Sequence, residues 1–418
     1  MDHFAYKHGV LHAENVSVEQ IAHAVGTPFY CYSTATLLRH VAVLRESLAA
    51  LNPRICFAVK ANSNRAVLAT LASAGVGADV VSQGEAMLAQ SAGIAPANII
   101  FSGVGKTRDE MRYGLEQGIF QFNVESEAEL RALSEVAQSM GTHAPIAIRI
   151  NPDVDAETHA KISTGKKDNK FGVALSEALA LYALARSLPS ISVQGVSMHI
   201  GSQLTSLAPF RAAYTRARAF VLALRAESHS IRTLDIGGGL GVPYQGSEIP
   251  PRPADYGAMA SEIFTGLDCE MIVEPGRLIA GNAGILVSRV LYTKQAERHY
   301  TILDAAMNDL MRPALYDAFH EIVPVREATD AAQPTDVVGP VCESSDCFGK
   351  DYALPPLAEG ALVAFRTAGA YGASMSNSYN SRLLIPEVLV HGDAYAIVRA
   401  RLTYADLLKR DSLAPWQN

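Results

Sequence analysis

The stretch Ile55-Cys56-Phe57-Ala58-Val59-Lys60-Ala61-Asn62 decides how the rest of the chain is read. Five apolar residues in a row, ending on a lysine, have the composition of a buried strand. Burying an ammonium is costly and depresses its pKa. A lysine kept neutral in this way is suited to condensation with a carbonyl group. The same lysine would also simply mark the point where a strand leaves for solvent.

Moving outward, similar short apolar runs recur: Ala78 to Ser82, Ile99 to Ser102, Phe120 to Val124, Ile146 to Ile150, Gly195 to His199, Leu234 to Gly237 and Met271 to Glu274. Amphipathic stretches such as Arg65 to Ala74, Glu85 to Ala92, Arg108 to Gln117 and Ser126 to Met140 lie between them. Strands alternating with helices imply βαβ units and a parallel sheet. Roughly eight such units over about 220 residues predict a (β/α)8 barrel, with a doubly wound sheet as the alternative. After about residue 283 the pattern changes to Ile285 to Tyr292, Tyr300 to Leu303, Asp336 to Val341, Ala361 to Thr367, Leu383 to Val390 and Ala394 to Leu402, with few helices between. A β-rich sandwich or barrel domain is expected there. The expected division is 1–30 as a segment joining the β domain, 31–282 as the barrel, and 283–418 as the β domain.

Composition narrows the function classes. A chain of 418 residues exceeds what one core usually supports. Its 49% apolar and 18% charged residues are ordinary for an enzyme with a large core. No apolar stretch reaches the roughly 20 residues that span a bilayer, and Met1-Asp2-His3-Phe4-Ala5-Tyr6 lacks the features of a signal peptide. Five cysteines do not suggest a disulfide framework, so a cytoplasmic protein is expected. A net charge of −7 points to neither nucleic acid nor anionic membrane as a partner.

In such a barrel the active site lies at the C-terminal ends of the strands. Lys60 closes the first strand and His199 the sixth; Asp235-Ile236-Gly237-Gly238-Gly239 closes the seventh, and Glu274-Pro275-Gly276-Arg277 the eighth. A glycine run after a late strand lets backbone N–H groups approach a phosphate, although a plain tight turn needs glycine too. Taken separately, His199 reads as a structural histidine and Glu274 as a carboxylate paired with Arg277. Together, a lysine, a phosphate cradle, a histidine and an acid on one rim are what pyridoxal phosphate requires. No metal is implied.

Phe57-Ala58-Val59-Lys60-Ala61-Asn62, His199-Ile200-Gly201-Ser202-Gln203, Gly237 to Gly241, Glu274 to Arg277, Met307 to Tyr316, Ile162 to Gly172 and Cys342-Glu343-Ser344-Ser345-Asp346 resemble the group IV, alanine-racemase-fold pyridoxal-phosphate decarboxylases. The resemblance is nearest to the branch that acts on diaminopimelate, and it runs from about Pro28 to about Leu402. It implies decarboxylation of meso-2,6-diaminopimelate to L-lysine and carbon dioxide; related decarboxylases act on ornithine, lysine or carboxynorspermidine. It further implies that Lys60 carries the cofactor, that His199 stacks on its ring and that Glu274 pairs with the ring nitrogen. Ser202, Gly238, Gly239, Gly276, Arg277 and Tyr371 would surround the phosphate. Arg277, Arg312, Tyr316 and Tyr371 would bind the second carboxylate, since guanidinium forks orient carboxylates. Glu343 would hold the distal amine, and Cys342 would return a proton. In the family the last two residues serve the partner's site, which implies a homodimer. The segment Ile162 to Phe171 would cover the substrate. Gln83 departs from the family, where a glycine is common.

Overall fold

The computed structural model describes residues 2–155, 170–245 and 249–417. The chain forms two units: Leu38–Pro243 with Ser247–Ile279, and Met1–Leu37 with Tyr244–Gly246 and Ala280–Asn418.

The first unit is a (β/α)8 barrel. Strands β1 (Arg54–Ala58), β2 (Gly77–Val80), β3 (Ile99–Phe101), β4 (Gln121–Val124), β5 (Ala144–Asn151), β6 (Ile191–Ser197), β7 (Thr233–Asp235) and β8 (Glu270–Val273) pair in parallel in that order. Pairing of β8 with β1 closes the ring. Register aligns the strand ends: Ala58 faces Asp79, and Ser197 faces Asp235. The intervening helices start where side chains cap them. Asn64, Ser82, Thr107 and Ser126 each accept a backbone N–H of the first helical turn. Cys56, Ile100 and Ile272 form a small apolar cluster with Phe120 packed against it.

Strand β4 explains the barrel's unusual interior. Its sequence Gln-Phe-Asn-Val alternates, so Gln121 and Asn123 share one face and Phe122 takes the other. Phe122 packs against the helix Arg108–Gln117, where a Cβ added at Gly114 would come within 2.7 Å of its ring. The polar pair therefore points inward, where its hydrogen bonds must be made.

Lys60 stands differently from its expected place. The strand ends at Ala58, and Lys60 sits on the single 3₁₀ turn Val59–Ala61 that follows. Its side chain is 42% exposed rather than buried, because the turn lifts it onto the rim.

The second unit is built on a mixed sheet in the order Cys347–Leu354, Gln333–Val338, His299–Leu303, Gly284–Gln295, Phe29–Ser33, Glu387–His391, Ala394–Arg399. The amino-terminal strand Phe29–Ser33 lies between Gly284–Gln295, antiparallel to it, and Glu387–His391, parallel to it. All five of its residues are buried. A three-stranded sheet of Phe4–Lys7, Val10–Ala13 and Val16–Ser17 precedes it. Phe4, Leu11, Ile21, Phe29, Ile285, Val287, Val388 and Val390 share one core.

Candidate active site

The C-terminal rim of the barrel carries a lysine above a cluster of acids. Lys60 Nζ is 2.7 Å from Asp79 Oδ2. The Asp79 carboxyl is fully buried, and its Oδ1 has no hydrogen-bond partner among the described residues. Asp235 and Glu274, at the ends of β7 and β8, are buried beside it. Burial and the charges of Asp235 and Asp79 push the Glu274 carboxyl well above its usual range. Asp235 and Glu274 are adjacent, and burial raises both carboxyls, Glu274 the further.

A polar chain across the barrel interior fixes this cluster. Thr233 Oγ1 donates to Gln121 Oε1 at 2.8 Å, and Gln121 Nε2 donates to Asn123 Oδ1 at 2.8 Å. The Asn123 amide is thereby oriented, and its Nδ2 reaches Asp235 Oδ2 at 2.9 Å and Glu274 Oε1 at 3.4 Å. Asp79, Asn123 and Gln121 were not singled out from sequence. The signal available was one polar residue inside the otherwise apolar β2 and two alternating polar residues in β4.

The loops after β6, β7 and β8 lock together through glycine. A Cβ at Gly237 would stand 2.5 Å from Met198 O, at Gly238 2.2 Å from Glu274 O, and at Gly239 2.4 Å from Gly201 O. The glycine run is thus required by backbone packed on backbone. Gly238 N donates to His199 Nδ1 at 3.2 Å, so the neutral imidazole carries its proton on Nε2. Burial, then the charges of Arg149 and Lys60, hold His199 well below the ordinary histidine range. Gln203 clamps the same loop, donating to Val242 O at 2.6 Å and accepting from Val242 N at 3.2 Å.

Two arginines complete the barrel's share. Arg277 Nη2 donates to Ser202 Oγ at 3.2 Å. Arg149 pairs with Glu125 at 3.0 Å and lies 4.9 Å from the Phe171 ring centroid. Of the segment Ile162 to Phe171, all but Lys170 and Phe171 lies outside the described residues.

The second unit brings together the other expected residues. Arg312 opens the short helix Arg312–Tyr316 and is buried. The turn with Cys342 and Glu343 is held by Asp346, whose two oxygens accept from Met307 N and Val341 N, each at 2.7 Å. One carboxylate thus ties the Cys342 turn to the segment leading into Arg312. Cys342 is exposed, and its N–H donates to Asn380 Oδ1 at 2.9 Å. Hydrogen bonds from Ser345 and Tyr379 hold the Glu343 carboxyl below its usual range. Tyr371 adopts a φ of +56°, a left-handed conformation uncommon for a bulky residue. Among the described residues no helix is long and apolar enough to cross a membrane, and no cluster of three metal-ligating side chains is found.

Comparison with known proteins defines the class. Residues 34–281 match the pyridoxal-binding domain of the pyridoxal-dependent decarboxylases. Over 418 residues the chain is 50% identical to the diaminopimelate decarboxylase of Vibrio cholerae, covering 99% of this chain and 100% of that protein. The solved diaminopimelate decarboxylase of M. jannaschii, in co-complex with L-lysine, superposes with a TM-score of 0.95 at 35% identity, covering 99% of each chain. An I148L mutant of the Helicobacter pylori enzyme, also with L-lysine, gives 0.91 at 41% identity, covering 94% of this chain and 98% of that one. The chain belongs to the diaminopimelate decarboxylase family of pyridoxal-dependent decarboxylases.

Its cofactor is pyridoxal phosphate, and the rim residues fit that molecule. Asp79, Asp235 and Glu274 form a cluster that a protonated ring nitrogen would discharge. Lys60 presents an amine on this rim, and Ser202 and Arg277 present the hydroxyl and guanidinium donors that suit a phosphate.

Proposed function

We propose that this chain decarboxylates meso-2,6-diaminopimelate at its D-configured carbon, giving L-lysine and carbon dioxide, with pyridoxal phosphate held by Lys60. The carrying observation is the Lys60 amine on the same rim as the buried Glu274 carboxyl, whose pKa burial raises. When bound, pyridoxal phosphate supplies an electron sink for the pair left by departing carbon dioxide.

The chain's own groups do the rest. Glu274 would pair with the ring nitrogen, with Asn123 and Asp235 fixing the carboxyl in place. His199, neutral and anchored by Gly238 N, offers a flat face for stacking. Ser202, Gly238, Gly239, Gly276, Arg277 and Tyr371 hold the phosphate. Arg277, Arg312, Tyr316 and Tyr371 bind the carboxylate that does not react. Glu343, kept ionised by Ser345 and Tyr379, pairs with the distal ammonium. One carbon–carbon bond breaks, carbon dioxide leaves, and the Sγ–H of Cys342 supplies the proton for the new carbon–hydrogen bond. Cys342 and Glu343 serve the site of a second copy in a homodimer. None of the five thiols is in a disulfide, which favours a reducing compartment, the cytoplasm.

Purified protein with pyridoxal phosphate should be yellow and should release carbon dioxide from meso-diaminopimelate faster than from L-lysine or L-ornithine. A colourless Lys60→Ala variant that still turned over substrate would overturn the assignment of Lys60.

A further inference from the structure

We infer that His320 is the positioning residue that sets the orientation of Arg312, and with it the preference for a substrate bearing a second carboxylate. The inference rests on reading Arg312 as a receptor for that carboxylate.

The local fold brings the two side chains together. Pro313 favours the start of the helix Arg312–Tyr316, and Asp317 ends it with a φ of +52°, turning the chain back. Three residues on, His320 lies with its Nε2 2.9 Å from Arg312 Nη1. Both side chains are buried, His320 at 2% exposure and Arg312 at 5%.

The partners determine the tautomer. His320 Nδ1 is 3.0 Å from the carbonyl oxygen of Arg366, which only accepts. The ring proton is therefore on Nδ1, and Nε2 presents a lone pair to the guanidinium. The guanidinium carbon of Arg312 also lies 4.6 Å from the Tyr244 ring centroid, and Tyr244 meets the His320 ring edge-on at 5.2 Å. Stacking restrains the plane of the guanidinium, and the bond to Nε2 restrains its rotation within that plane.

The choice of imidazole has a chemical sense. A carboxylate in this place, as Glu125 is to Arg149, would orient the arginine but neutralise it. A neutral imidazole orients the guanidinium without adding a negative charge of its own. A fixed fork loses less freedom on binding, which favours the bidentate contact.

The test uses the pyridoxal-phosphate-loaded enzyme and two inhibitors, L-lysine, which retains a carboxylate, and cadaverine, which lacks one. His320→Phe keeps the ring against Tyr244 but removes the acceptor. It should weaken L-lysine inhibition and raise KM for meso-diaminopimelate about 10-fold or more, with kcat changed less than about 3-fold and cadaverine inhibition unchanged. His320→Gln, whose amide oxygen reaches the Nε2 position, should recover most of the loss. Cofactor absorbance and thermal unfolding verify that each variant is folded. Equal weakening of both inhibitors, or no change in either, overturns the role of His320. If Arg312→Ala leaves L-lysine inhibition unchanged, the reading of Arg312 fails first. If Arg312→Ala weakens it and His320→Phe does not, only the His320 inference falls.

Discussion

Lys60 and Asp79 form an unequal pair: their charged atoms are 2.7 Å apart, yet the carboxyl is fully buried and the lysine side chain is 42% exposed. The lysine is the accessible member of the pair, and Asp79 is its buried anchor. The contact is also charge-assisted, so its loss is expected to cost more than that of a neutral hydrogen bond.

Asp79→Asn keeps the shape and removes the charge. Losing a hydrogen bond to a charged group costs about 1.5–3 kcal/mol, so the cofactor-free protein should lose up to about that much stability. Denaturant unfolding of the apoprotein measures it. A wild-type midpoint would show that the pair does not stabilise the rim.

Gly238→Ala should separate two loops. Its Cβ would stand 2.2 Å from Glu274 O and 3.0 Å from Glu274 C, both backbone atoms that cannot swing aside. A loss of about 2 kcal/mol or more in stability is expected, with weakened cofactor binding. Gly105→Ala is the control, since a Cβ there meets nothing within 4 Å. Equal unfolding midpoints in denaturant for the two variants would refute the packing argument.

Asp309 gives a pH dependence of defined sign. Burial pushes its carboxyl up to about 7. Between the ordinary carboxylate range and pH 7 the folded chain holds a proton that the unfolded chain has released, so stability falls as pH rises through that window. Asp309→Asn should remove part of this slope, worth a few kcal/mol across the window. Denaturant unfolding of both apoproteins at pH 5, 6, 7 and 8 reads the difference. Parallel pH profiles would contradict it.

Much of the rim was legible because chemistry sits where apolar runs stop. Glu274 follows β8 directly, Asp235 ends β7, and Lys60 lies two residues past β1. Their level on the rim follows from register, which the alternation of strands and helices implies once the barrel closes. The floor beneath them was not legible. Asn123 and Asp235 are bonded at 2.9 Å across 112 residues of sequence, and only closure shows that the polar face of β4 points inward. Two strands of the second unit also escaped. Cys347–Leu354 carries lysine and aspartate because it is a sheet edge, and Ile322–Pro324 is short and ends in proline. The exposure of Lys60 was misjudged for a local reason: the strand ends two residues early, at Ala58.

The strand Phe29–Ser33 has a consequence for how the protein is made. It leaves the ribosome early, but its antiparallel partner begins about 250 residues later, and its other neighbour about 100 residues after that. At roughly 5–20 residues per second, the nascent chain carries this strand unpaired for about ten seconds or more. The barrel segment is fully synthesised in that interval and is free to fold first. A strand translated before the barrel is thus among the last parts to find its place, and Phe29-Tyr30-Cys31-Tyr32 is the segment a chaperone would meet while synthesis continues.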